Sequence, residues 1–243
     1  SIRRQRQMCI RDRAHLNAGA KKVLISAPAK DETTPTVVFG VNHEILKASD
    51  NIVSAGSCTT NSMAAMVKLL QDNWGIKSGF MTTIHAYTGT QMILDGPRGS
   101  KPRNNRSAAC NTIEHSTGAA KAIGKVVPEV NGKLQGHAQR IQVPDGSVTE
   151  LTTVLEKPAT TEEINDAFKK AFENCEYFGY NADSIVSSDI IGDTHGGVFD
   201  PTQTDVNTVD GVTLARTVTF YDNEYGFTSN MIRTLLYFAE ISE

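Results

Sequence analysis

Between Cys58 and Trp74 the apolar side chains Met63, Met66, Val67 and Leu70 recur three or four positions apart, one stripe of an α-helix. Gly75 follows as its stop. A second stripe, Ile164, Ala167, Phe168, Ala171 and Phe172, lies behind Thr160–Glu163, which have capping-box spacing. A closing helix is predicted over about 225–241, and Ser116–Gly124 reads as a helix start rich in small residues. Elsewhere the period is that of strands. Val212–Tyr221 sets Leu214, Arg216, Val218 and Phe220 against Thr213, Ala215, Thr217 and Thr219. Further strands are predicted at Ile76–Tyr87, Leu134–Val143 and Val148–Leu155. Short apolar runs at Lys22–Ser26, Thr36–Val41 and Asn51–Ser54 read as buried strands, the tail of an α/β nucleotide-binding layout. Asp95–Asn105 is a polar loop punctuated by Gly and Pro.

Composition narrows the classes. Of 243 residues 39% are hydrophobic, enough for a sizeable core, and no apolar run approaches a bilayer span, so a soluble chain is expected. Arg3, Arg4, Arg6, Arg11 and Arg13 crowd the start, so the body is more acidic than the net charge of −3 implies. A mildly acidic body argues against nucleic acid as partner. SIRRQRQMCIRDR has neither apolar periodicity nor a hydrophobic stretch; it reads as an extraneous start rather than a secretory signal. Cys9, Cys58, Cys110 and Cys175 form no CxxC pair, which argues against zinc and a disulfide framework and for a reducing cytoplasm. GxGxxG occurs nowhere in the chain.

The candidate chemistry begins at Cys58, between a strand and a helix in AGSCTTN. Unpaired N–H groups and the helix dipole favour a thiolate there. A buried cysteine packing as a small hydrophobe fits the same position. His85, at a strand end in TTIHAYT, suits a base that holds the thiol's proton, and equally a core histidine with a hydrogen bond. Ser116-Thr117-Gly118 offers hydroxyls at a helix start, either a phosphate seat or a plain cap. Arg140, within HAQRIQV, needs a partner, and a phosphate would serve. Arg103, in the polar loop, fits a solvated charge, and Thr88 is placed to donate to an oxyanion.

The longer motifs carry a resemblance. SCTTN at 57–61, TTIHAYT at 82–88, STGAAKAIGKVVPEVNGKLQGHAQR at 116–140, GSVTELT at 146–152 and YDNEYGF at 221–227 resemble phosphorylating glyceraldehyde-3-phosphate dehydrogenases. The match runs from about Ala14 to the C-terminus, and residues 1–13 match nothing in the family. The resemblance implies an α+β / α/β fold: a catalytic domain over 58–221 with a large mixed, mostly antiparallel sheet and flanking helices. It also implies a C-terminal remnant of a Rossmann NAD-binding domain over 14–57, to which a C-terminal helix over 222–243 returns. Cys58 aligns with the nucleophile and His85 with the general base. Ser57, Thr59, Thr88, Arg103, Thr117, Gly118 and Arg140 align with positions holding substrate phosphate or inorganic phosphate. Ser26 and Asn223 align with the cofactor site, with no metal involved. Where the family has paired arginines, Asn104 follows Arg103.

The implied reaction is the NAD-dependent oxidative phosphorylation of glyceraldehyde 3-phosphate to 1,3-bisphosphoglycerate through a cysteine thioester, a step of glycolysis in the cytoplasm. The implied assembly is a homotetramer of the full-length form, with loop 87–110 near a neighbour's cofactor. The family's glycine-rich start has no counterpart here, so a truncated record is expected, with apolar faces such as Leu235, Leu236 and Phe238 left uncovered. Other readings are a truncated chain with a reactive thiol and no turnover, a relative acting on erythrose 4-phosphate, and a cysteine hydrolase. The last leaves the phosphate set and Asn223 without purpose.

Overall fold

A computed structural model of the chain describes residues 13–97 and 100–242. Residues 1–12, with Cys9 and the extraneous start read there, lie outside the described residues. Strands β1 (Val23–Ile25) and β2 (Ile52–Ser54) pair in parallel, as their apolar runs predict. Thr36–Val41 does not form a third strand. Thr36 alone bridges Ser54. The Asn42 side chain then accepts from the Val38 N–H at 2.8 Å and donates to the Thr36 carbonyl at 3.0 Å. That amide takes the backbone groups a ladder would need, and the chain turns back at Val38–Asn42. The apolar run marks burial, since Val37 and Val38 are both in the core.

The large sheet holds β3 (Ile76–Ala86), β4 (Ile113–Ser116), β5 (Leu134–Ile141), β6 (Ser147–Leu155), β7 (Gly179–Tyr180), β8 (Val198–Phe199), β9 (Asp205–Val209) and β10 (Val212–Tyr221). Its order is β4-β5-β3-β6-β10-β8-β7, with β9 beside β10. The pairs β3–β5 and β7–β8 are parallel and the others antiparallel, so the sheet is mixed and mostly antiparallel as expected. Ser116 ends β4, because Ile113–Ser116 pair with β5, and the predicted helix start moves to Ala119.

Among the described residues, the helices that flank these strands include α1 (Cys58–Trp74), α2 (Ala119–Val126), α3 (Thr161–Phe172) and α4 (Tyr225–Glu240). In α1 the stripe Met63, Met66, Val67 and Leu70 is fully buried, and Gly75 ends the helix at φ +73°. The Thr160 capping box forms, and Ile164, Phe168 and Phe172 join the main core while Ala171 stays exposed. In β10 the threonine face turns inward; Thr213, Ala215, Thr217, Thr219 and Tyr221 are buried and Leu214 is 41% exposed. Phe238 corrects the expectation of an uncovered closing helix. It is buried against Val37, Leu46 and Val53, although Leu235 and Leu236 remain 45% and 64% exposed.

Candidate active site

Gly56 and Ser57 turn the chain from β2 into α1. Gly56 takes φ +70°, and its N–H donates to Ser54 Oγ at 3.1 Å. Ser57 caps α1, its Oγ accepting from the Thr60 N–H at 3.2 Å. Asn61 ties the turn by donating to the carbonyls of Ala55 and Ser57 at 2.9 and 3.0 Å. The first-turn N–H groups of Cys58 and Thr59 and the Thr59 hydroxyl lie on the side of Cys58 and favour its charged form.

The parallel register of β3 and β5 sets His85 beside Arg140. His85 Nε2 lies 3.3 Å from Cys58 Sγ. Its Nδ1 lies 2.7 Å from the Ala86 carbonyl and 2.7 Å from Arg140 Nη1, which also donates to that carbonyl at 3.1 Å. Two tautomers fit. With Arg140 donating to Nδ1, the ring hydrogen is on Nε2 and faces sulfur. With Nδ1 donating to Ala86, Nε2 is open to take the thiol's proton. Burial pushes the Cys58 thiol up, against the Thr59 hydrogen bonds and the Arg140 charge, which pull it down. Burial, and then the charge of Arg140, lower His85 to about 4. The pair therefore rests as thiol and neutral imidazole, which revises the thiolate expected from the helix terminus alone.

Arg140 was expected to need an anion. Its Nη1 has His85 and Ala86 as partners, while its Nε is buried with no partner among the described residues. Asn223 is reached through Ser147, whose Oγ accepts from the Ala86 N–H at 3.1 Å and donates to Asn223 Oδ1 at 2.6 Å. Ser26 is exposed just past β1 and Cys58 follows β2, so both sit at the carboxyl ends of a parallel pair, where such sheets take ligands.

The remaining candidates stand apart. Among the described residues, Thr88, Arg103, Thr117 and Gly118 make no hydrogen bond to Cys58, His85 or Arg140. Thr88 faces Thr90 and Gln91, and Thr117 Oγ1 accepts from the Ala119 N–H at 3.2 Å. Gly118 caps α2 without a side chain. Arg103 lines a cleft of about 440 Å³ with Lys101, Glu114, His115 and Ser116. Ser147 and Tyr221 escaped the sequence reading. Ser147 directly precedes the run read as a strand, and Tyr221 closes a predicted one; the usable signal is that each lies within or beside a motif.

A part-buried thiol bonded to an imidazole, with an arginine behind it, is the equipment of an enzyme that forms covalent intermediates on cysteine. Residues 57–223 match the family described as glyceraldehyde 3-phosphate dehydrogenase, C-terminal domain. The glyceraldehyde-3-phosphate dehydrogenase of Lactobacillus delbrueckii subsp. bulgaricus is 60% identical over 232 residues, covering 95% of this chain and 68% of that protein. Those of Lactococcus lactis and Streptococcus pyogenes are 55% and 54% identical, each over 94% of this chain and 68% of the relative. The chain belongs to the glyceraldehyde 3-phosphate dehydrogenase family.

Proposed function

We propose that Cys58 is the nucleophile and His85 the acid–base group in the NAD-dependent oxidative phosphorylation of glyceraldehyde 3-phosphate to 1,3-bisphosphoglycerate. The 3.3 Å contact between Cys58 Sγ and His85 Nε2 carries this reading. As Sγ adds to the aldehyde carbon, His85 takes the thiol proton and returns it to the carbonyl oxygen, giving a hemithioacetal. His85 then takes the proton of that hydroxyl, and the carbon gives up its hydrogen with the bonding pair, leaving a thioester. A phosphate oxygen adds to the thioester carbon, and sulfur leaves toward the N–H groups of Cys58 and Thr59. An oxygen nucleophile would leave a lower-energy ester, so sulfur suits transfer to phosphate.

Ser57, Thr59, Thr88, Arg103, Thr117, Gly118 and Arg140 are assigned to the substrate and phosphate oxygens. Arg140 is the best supported, being charged, part-buried and left with an unpartnered Nε. An anion drawing Nη1 off His85 Nδ1 also lifts the charge that depresses the base. NAD supplies the hydride acceptor. Ser26 and Asn223 fit its nicotinamide end: Ser147 fixes Asn223 Oδ1, which orients the amide with Nδ2 left to donate to a carboxamide oxygen.

We assign residues 14–57 to the NAD-binding unit, 58–221 to the catalytic unit and 222–243 to a helix returning to the first. The burial of Phe238 against Val37, Leu46 and Val53 supports that return. We further infer self-association, as in a homotetramer. Phe80, Val212 and Leu214 share one sheet face and are 64%, 50% and 41% exposed, and a second copy would cover them. Among the described residues no helix is long and apolar enough to cross a membrane, and we place the reaction in the cytoplasm.

The test is NADH formation from glyceraldehyde 3-phosphate, phosphate and NAD. Cys58→Ala is expected to abolish it and His85→Asn to slow it by about 10²- to 10⁴-fold. Turnover by the Cys58→Ala chain contradicts the assignment.

A further inference from the structure

We propose that Tyr221 is a positioning residue for the Cys58–His85 pair, its phenol hydroxyl joining Thr59, beside the thiol, to Thr83 on the strand of the base in one chain of hydroxyls. This rests on Cys58 being the attacking thiol. Tyr221 is fully buried at the end of β10. Its hydroxyl lies 2.9 Å from Thr59 Oγ1 and 2.8 Å from Thr83 Oγ1. Thr59 directly follows Cys58 in the first turn of α1. Thr83 lies two residues before His85 on the same strand. The phenol therefore joins the first turn of α1 to the strand that carries the base. Its ring also stands edge-on to the imidazole, with centroids 5.9 Å apart at 81°.

A phenol has one hydrogen and accepts two bonds. Between two threonine hydroxyls it gives its hydrogen to one and accepts from the other, so the start of α1 and the strand of the base are held at one spacing. The titratable and charged groups facing Cys58 are His85 from β3, Arg140 from β5 and Tyr221 from β10; Ser57 and Thr59 beside it are neutral. Among the described residues no carboxylate faces it, so a shift of the thiol relative to the imidazole registers directly in the thiol's reactivity.

The experiment alkylates the full chain with iodoacetamide across pH and reads the Cys58 and exposed Cys110 peptides by mass spectrometry. Tyr221→Phe is expected to move the Cys58 midpoint up by about half to one pH unit and to slow the neutral-pH rate about three- to tenfold, without touching Cys110. Thr59→Val should act likewise, and adding Tyr221→Phe to it should change nothing more, because both cut one chain. A Tyr221→Phe profile that superimposes on the wild type, or full additivity, overturns the proposal. If Tyr221→Phe does not fold, Thr83→Val carries the test, with a smaller shift the same way; no shift overturns it. Wild-type Cys58 left unalkylated across the whole pH range would instead sink the reading of Cys58 as the attacking thiol.

Discussion

His85 is almost fully buried between a thiol and a guanidinium, and its proton affinity is depressed from 6.5 to about 4. The unfolded chain takes up that proton below about pH 6.5, the folded chain only below about pH 4. Stability therefore falls as pH drops through this window, by about 3 kcal/mol in full. Urea melts at about pH 7 and about pH 4.5 should show the wild type losing more stability than His85→Gln. Equal losses would mean that the imidazole keeps its ordinary affinity. Cys58 and His85 were legible as residues because a helix start and a strand end announce them. Their 3.3 Å contact was not, since they are 27 positions apart and only the packing of α1 on the sheet brings them together. Arg140 and His85 face one another through the parallel register of β3 and β5, which no periodicity reveals.

The turn before α1 decides where the thiol points. Gly56 holds φ +70°, but a Cβ there would meet nothing nearer than Thr60 at 3.5 Å. Gly56→Ala therefore costs backbone strain alone, about 1 to 2 kcal/mol, a melting-point drop on the order of 5 °C. Gly118 makes the contrast. It caps α2 at φ −90° with no atom within 4 Å, so Gly118→Ala should be neutral or slightly stabilising by calorimetry. Similar losses at both positions would refute this account of the turns. Long periodic elements were legible: α1 keeps its predicted bounds and β10 its own. Thr36–Val41 was not, because one asparagine side chain takes over its ladder groups. Nor was the inward threonine face of β10, whose hydroxyls are satisfied by Leu151 and Ser62 carbonyls.

At the scale of the molecule, α1 lies in the core between the large sheet and the other helices, with its N-terminus at the reacting group. The other sheet face is open at Phe80, Val212 and Leu214. Leu214→Asp should leave the melting point of a monomer nearly unchanged and lower the mass seen by light scattering. An unaltered mass would leave that face without the second copy proposed for it. The mixed sheet was legible through the resemblance, whereas the seating of Phe238 on Val37, Leu46 and Val53 needed the tertiary structure. The central claim, that Cys58 carries the acyl group beside His85, is tested most directly in reverse and without NAD. The chain is mixed with 1,3-bisphosphoglycerate and digested, and the cysteine peptides are weighed. The expected result is a 3-phosphoglyceroyl thioester on Cys58, formed with release of phosphate and slowed in His85→Asn. Acylation of Cys110 or Cys175 in its place, or of no cysteine, would contradict the account.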